Sequence, residues 1–216
     1  MLELGIKLLL SYLLGSVNGS LVLGRFRGID IREEGSGNAG ATNALRTHGL
    51  AFALLVVLID LGKGVLAVTL LADAPGSATP LLPAAWTAAF CGLTAVVGHI
   101  FPFWFDFRGG KGGATGVGAL LGLWPAAVLP VVGVWVVFLI GTGFVGLATM
   151  CAGVTVPLVA LLYRPNGLDL PMLFFGLFVA ALIIYAHRSN LLGMRNGTEH
   201  RMEAAMFWRR SQKSSS

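Results

Sequence analysis

ATGVGALLGLWPAAVLPVVGVWVVFLIGTGFVGLATMCAGVTVPLVALLY, residues Ala114–Tyr163, contains no Asp, Glu, Lys or Arg. A straight membrane-spanning helix takes about 20 apolar residues, with roughly 17–25 common. The 48 residues from Ala114 to Leu161 are too many for one crossing. Two natural breaks lie inside them, Trp124-Pro125 and Gly141-Thr142-Gly143. They divide the stretch into the runs Ala114–Trp124, Ala126–Ile140 and Phe144–Tyr163. The first two are short for spans. Broken or tilted helices of that kind are tolerated where protein or a polar cavity covers the loose backbone.

Further apolar runs occur at Leu4–Gly24, Leu50–Ala72, Ala84–Phe105 and Pro171–Ala186. Of the 216 residues, 56% are hydrophobic and 12% charged, against about 25% charged in a typical soluble domain. With a mean hydropathy of +0.80, the chain reads as an all-α polytopic membrane protein. The first run has Glu3 ahead of Lys7 and no A-x-A cleavage site, so it reads as a retained transmembrane helix and not as a signal peptide. One integral-membrane domain is expected over residues 1–201, followed by a tail, residues 202–216, that is interfacial and then disordered. Cys91 and Cys151 both sit in apolar runs and read as small buried hydrophobes. No Cys/His pattern suggests a metal, and no cofactor is expected.

Charge gives the orientation. Arg25, Arg27, Arg32 and Arg46 lie between the first two runs, Arg108 and Lys111 after the third, and Arg188, Arg195, Arg201, Arg209, Arg210 and Lys213 after the last. The Asp73–Pro83 connection has neither Lys nor Arg, and Arg164 is alone in its loop. The positive-inside rule puts the basic segments in the cytoplasm. An odd number of crossings must then join Lys111 to the Tyr163–Leu170 loop. Three fit the breaks, giving about seven helices with the N-terminus outside and the C-terminus cytoplasmic; five remain if part of the middle is re-entrant. The net charge of +5 bears on topology and anionic lipid before nucleic acid.

Three polar islands interrupt the apolar runs: GSGNAGATNALR (Gly35–Arg46), GHIFPFWFDFRGGKGGAT (Gly98–Thr115) and HRSNLLGMRNGTE (His187–Glu199). In the first, the glycines, with Gly37 among them, permit close backbone approach to a ligand. Ser36, Asn38, Thr42 and Asn43 offer polar groups, and Arg46 offers a forked cation suited to phosphate. An anion nest and a flexible surface loop both fit this composition. In the second, Arg108-Gly109-Gly110-Lys111-Gly112-Gly113 precedes a helix expected to begin near Ala114-Thr115. A glycine loop before a helix N-terminus is an anion site. His99, near the end of the third run, reads as a satisfied structural histidine. In the third, His187 and Asn190 share a face if the last helix runs on, and Glu199 is placed to hold Arg46 or another island cation. Asp60 and Lys63, three apart inside the second run, read as a structural ion pair, with a substrate contact as the other reading. The Gly141–Gly143 break is expected beside the islands.

Several patterns are missing. No histidine is followed by the spaced aspartate of an HxxxxD acyltransferase, no carboxylate pair is set to hold Mg²⁺, and no Gly-x-Ser-x-Gly elbow occurs.

These residues resemble the bacterial acyl-phosphate:glycerol-3-phosphate acyltransferase family (PlsY). The likeness rests on YLLGS at Tyr12–Ser16, GIDIR at Gly28–Arg32, GSGNxGATN at Gly35–Asn43, DxxKG at Asp60–Gly64, GHxFPxxxxFRGGKG at Gly98–Gly112 and HRxN…GTE ending at Glu199. The resemblance implies acyl transfer from acyl phosphate to the 1-hydroxyl of glycerol 3-phosphate, giving lysophosphatidic acid and phosphate, in the inner membrane of a bacterium, with the active site on the cytoplasmic face. By position it implies activity roles for Ser36 and Arg46, phosphate binding by Gly109, Gly110, Lys111 and Gly112, active-site roles for His187 and Asn190, and a supporting role for Glu199. The family's YVSLxS becomes Phe144-Val145-Gly146-Leu147-Ala148-Thr149 here, with Thr142 or Thr149 as substitutes for the lost serine. The partners expected are the two substrates and membrane lipid, with no obligate protein partner. Direct attack without an acyl-enzyme is expected. The rival reading is a membrane transporter of an organic phosphate, against which the one-sided charge and the absence of an internal repeat both speak.

Overall fold

The computed structural model describes residues 1–76, 80–163 and 167–206. The described residues form nine α-helices: α1 Leu2–Gly15, α2 Gly19–Phe26, α3 Ala41–Leu66, α4 Ala84–Ile100, α5 Gly113–Leu123, α6 Pro125–Thr142, α7 Val145–Leu162, α8 Leu170–Ala186 and α9 Arg188–Arg195. A π-helical turn, Ala67–Leu71, prolongs α3. The isolated Arg164, and Trp208, Arg209 and Arg210 of the tail, lie outside the described residues.

Both expected breaks in the middle stretch occur. Trp124 leaves helical geometry and Pro125 opens α6, where its missing N–H costs nothing. Gly143 ends α6 at φ +73°, a left-handed cap that a side chain would strain. Two other breaks interrupt runs that read as continuous. The first run bends by 53° between α1 and α2, where Asn18 caps α2 by accepting from the Leu21 N–H. Gly49, at φ +81°, kinks α3, so the end of the first island is already helical before the span proper begins.

Among the described residues, four helical segments are long and apolar enough to cross a membrane, and six if each bent pair counts as one span. The segment expected to make the remaining crossing, α5, has only 11 residues and is not among these spans. A Cβ on Gly113, its first residue, would lie 3.0 Å from Thr149, four residues inside α7. Beyond its last residue, Trp124 packs in a tilted pair with Tyr163 past the end of α7, with ring centroids 5.5 Å apart. The short helix therefore begins about 6 Å inside the bundle, at 1.5 Å per residue, and the glycine loop descends to meet it.

Close glycine contacts fix the main helix pairs. A Cβ on Gly64 of α3 would sit 2.3 Å from the Thr115 carbonyl oxygen, and one on Gly118 of α5 would sit 2.0 Å from that of Leu61. The same reciprocity joins Gly15 of α1 to Ala95 of α4, and Gly98 of α4 to Tyr12 of α1, each at 2.2 Å. Where lipid is as apolar as the helix surface, close backbone packing of this kind supplies much of the attraction. The larger apolar core, with Phe175, Leu120, Val96 and Val156 among its members, lies among α4–α8.

The loops after α2 and α4, the α6–α7 turn and the segment from α8 into α9 meet at one end of the bundle. Asn18 Nδ2 donates to the Ala39 carbonyl at 3.1 Å. The Arg32 guanidinium donates to the carbonyls of Phe105 and Arg108 at 3.0 and 3.2 Å. The Met202 N–H donates to the Gly143 carbonyl at 2.8 Å, and Met206 is buried against the same glycine. That is where the first residues of the segment read as a tail lie.

Candidate functional site

At that end a cavity of about 740 Å³ opens into the bundle. Its polar mouth carries Ser36, Asn38, Thr42, Asn43 and Arg46 from the first island, Lys111 and Gly112 from the second, and His187, Asn190 and Glu199 from the third. All three islands thus share one wall. Below them the lining is mostly apolar, with residues from α3 (Leu50 to Leu61), α5, α6, α7 (Val145 to Val156) and α8, interrupted by Asp60, His99 and Thr149.

The first island is held open by Asn43. Its amide donates to the carbonyls of Ile31 and Glu34 at 3.1 and 2.9 Å, and its Oδ1 accepts the Ser36 N–H at 2.9 Å. Gly35 at φ +57° turns the chain tightly over that amide. Asn43 shapes the loop, leaving Ser36 exposed and Arg46 at the mouth, where Arg46 has no ion-pair partner among the described residues.

The glycine loop divides into two parts. The N–H groups of Gly109 and Gly110 donate to the carbonyls of Ile100 and His99 at 3.1 Å each, closing off the end of α4. Neither glycine lines the cavity, nor does Arg108, Gly37, Lys63 or Thr142. The amides free for an anion come after Lys111. Gly112, at φ +81°, turns the chain into α5, whose first-turn N–H groups have no partner within the helix. Thr142 donates to the Phe138 carbonyl at 2.7 Å. It is Thr149, holding the Trp135 indole at 3.2 Å, that lines the cavity.

A relay crosses the mouth. Lys111 Nζ donates to Asn190 Oδ1, and Asn190 Nδ2 donates to Glu199 Oε1 at 2.6 Å. Glu199 therefore reaches a cation through Asn190, and that cation is Lys111 and not Arg46. Burial pulls the Lys111 ammonium below its ordinary value; Glu199 opposes this and Arg188 adds to it. The last helix does not run on: α8 and α9 meet at 52°. His187 sits at the bend, buried, with Nδ1 donating to the Ile183 carbonyl at 2.8 Å. A carbonyl can only accept, so Nδ1 carries the proton and Nε2 is the free edge. Gly146, where the family pattern has serine, lies against Asn190: a Cβ there would sit 3.0 Å from its side chain.

A model of the glycerol-3-phosphate acyltransferase family matches residues 5–197. The chain belongs to this family. A glycerol-3-phosphate acyltransferase of Synechococcus elongatus is 45% identical over 197 residues, covering 90% of this chain and 92% of that protein. One from Chlorobaculum parvum is 37% identical over 225 residues, covering 93% and 96%. Among solved structures, PlsY (YgiH), an integral membrane glycerol 3-phosphate acyltransferase, matches in its glycerol 3-phosphate form with a TM-score of 0.79 and 32% identity, covering 92% of this chain and 94% of that one. Its lysophosphatidic acid form matches with a TM-score of 0.79 and 31% identity, covering 94% and 98%.

Within this family frame, three residues do more than the sequence suggested. Arg32 entered as a topological charge and as the end of the GIDIR motif; with Asp30, 2.6 Å away, it also clips the first island's loop to the second's. Asn18 ties the α1–α2 break to Ala39. His99 is buried and satisfied by Lys63, as the sequence suggested, and it also lines the cavity. For Asn18 the signal was a lone amide inside an apolar run. For Arg32 it was an acid two residues before it.

Proposed function

We propose that the cavity binds glycerol 3-phosphate and a long-chain acyl phosphate together and transfers the acyl group to the 1-hydroxyl, giving lysophosphatidic acid and phosphate. The observation that carries this is the continuity of a cationic, amide-rich mouth with a deep apolar corridor. Leu50 to Leu61 on α3, and Val145 to Val156 on α7, each run about 16 Å at 1.5 Å per residue. Two phosphates need neutralising at one level, and a fatty chain needs dry wall below it.

Arg46, Lys111 and the first-turn amides of α5 hold phosphate oxygens. Ser36, Thr42 and Asn38 orient glycerol 3-phosphate, and Asn43 keeps their loop in shape. The 1-hydroxyl oxygen bonds to the acyl carbon, the bond from that carbon to the phosphate oxygen breaks, and phosphate leaves. Its donor is already activated, so no protein nucleophile is required; positioning and charge neutralisation supply the rate. The hydroxyl proton passes to a substrate phosphate, and His187 and Asn190 orient the reacting groups. Residues 1–201 act as one domain in the bacterial inner membrane with the mouth facing the cytoplasm, as the one-sided distribution of Arg and Lys supports.

The test uses the purified protein with glycerol 3-phosphate and acyl phosphate, with acyl-CoA as the control donor. Lysophosphatidic acid is expected from acyl phosphate alone. Equal product from acyl-CoA, or none from either, would overturn the reading. A labelled acyl group trapped on the protein would sink the direct transfer.

A further inference from the structure

Beneath the glycine loop lies a buried cluster that the proposed reaction does not use. Asp60, Lys63 and His99 are 1%, 3% and 3% exposed. Lys63 Nζ pairs with Asp60 Oδ1 at 2.9 Å, donates to the Val17 carbonyl at 3.0 Å and meets His99 Nδ1 at 2.9 Å. Asp60 Oδ1 also accepts the Gly19 N–H at 3.0 Å. An ammonium has donors only, so His99 Nδ1 accepts from it and the ring carries its proton on Nε2. The 3.4 Å approach of Nδ1 to Asp60 Oδ1 then brings two acceptors together around one ammonium.

The opposite edge of the ring faces the loop. A Cβ on Gly110 would lie 2.2 Å from His99 Nε2 and 2.6 Å from the Ala39 carbonyl oxygen. The Gly110 N–H donates to the His99 carbonyl at 3.1 Å. The residue just before Lys111 is thus held from two directions by one histidine: by its carbonyl through a hydrogen bond, and by its ring through contact.

We infer that His99 is a positioning residue for Lys111. The Asp60–Lys63 pair fixes its tautomer and orientation, and the ring sets the height of the loop that presents the Lys111 ammonium to phosphate. This rests on the reading of Lys111 as a phosphate ligand. The design ties the α1–α2 break, through Val17 and Gly19, to the cationic mouth.

The experiment compares H99N, G110A, K111A and the double variant H99N/K111A by KM for each substrate, kcat and thermal unfolding. Asparagine keeps an acceptor near Nδ1 and removes the ring edge under Gly110. H99N is expected to unfold within a few degrees of the parent yet raise KM for a phosphate substrate about tenfold. G110A, which presses on the ring from the loop side, is expected to give the same rise. KM does not depend on the fraction of active molecules, so partial misfolding leaves the readout intact. In the K111A background H99N should add nothing; additive effects would overturn the inference. An unchanged KM in H99N, with a raised KM in K111A, would also overturn it. An unchanged KM in K111A would instead remove the phosphate role of Lys111.

Discussion

Asn43 and Glu199 are polar residues whose work differs from what their chemistry alone suggests. Asn43 spends all its hydrogen-bonding groups on the loop of residues 31–36. Asn43→Ala should therefore cost about 2 kcal/mol of stability, through unmet carbonyls and a lost N–H partner. A lower unfolding temperature checks this, and an unchanged one would return Asn43 to the substrate. Glu199 acts on Asn190 through its own oxygen Oε1, which accepts the Asn190 Nδ2 proton. Glu199→Gln keeps such an oxygen and should retain activity within about tenfold, whereas Glu199→Ala frees Asn190 and should lose about 10²-fold, the scale of a small misplacement of reacting groups. Equal losses in the two variants would point to the charge and not to the hydrogen bond. That the polar islands would line one site was legible from the sequence, because polar, glycine-rich segments stand out against apolar runs. Their partners were not: Lys111 and Asn190 are 79 positions apart, and no local pattern encodes that meeting.

At the scale of elements, hydropathy found the runs and Pro125 and Gly143 marked two of their ends. The kink at Gly49 and the bend at Asn18 went unread, since a lone glycine or asparagine in an apolar run fits an unbroken helix equally well. The shortness of α5 acquires its reason only from its neighbours, Thr149 at one end and Tyr163 at the other. The helix pair α3–α5 makes a signed prediction. Gly118→Ala sets a methyl 2.0 Å from a carbonyl oxygen of α3, and overpacking of that kind costs about 1–3 kcal/mol. Gly133→Ala, in α6 with nothing within 4 Å, should instead stabilise by up to about 1 kcal/mol through helix propensity. Thermal unfolding in detergent reads both, and the same sign for both would defeat the packing argument.

Across the whole molecule the cavity joins two chemistries that the chain keeps apart. Filling its lower part tests the lipid role. Gly153→Leu on α7 shortens the corridor, and each excluded methylene is worth about 0.8 kcal/mol. Competition between long and short acyl phosphates should shift at least tenfold toward the short donor, with KM for glycerol 3-phosphate little changed; an unshifted ratio would place the chain elsewhere. Orientation has its own test. With Cys91 and Cys151 replaced by alanine, Ser189→Cys at the exposed mouth should react with an impermeant thiol reagent in inverted vesicles and not in intact cells. The reverse pattern would turn the protein over. The sequence by itself determined the membrane class, the apolar segments, the clustering of basic residues in particular connections and the glycine-, amide- and cation-rich composition of the islands, because hydropathy, charge and glycine content are local properties of the chain. Only the tertiary structure decided which loop amides remain free, that Glu199 serves Asn190, that Thr149 and not Thr142 reaches the cavity, and that His99 stands under Gly110. Those pairings depend on helix rotation and on how closely backbones approach at Gly15, Gly64, Gly98 and Gly118, and all helices must pack together before that is fixed.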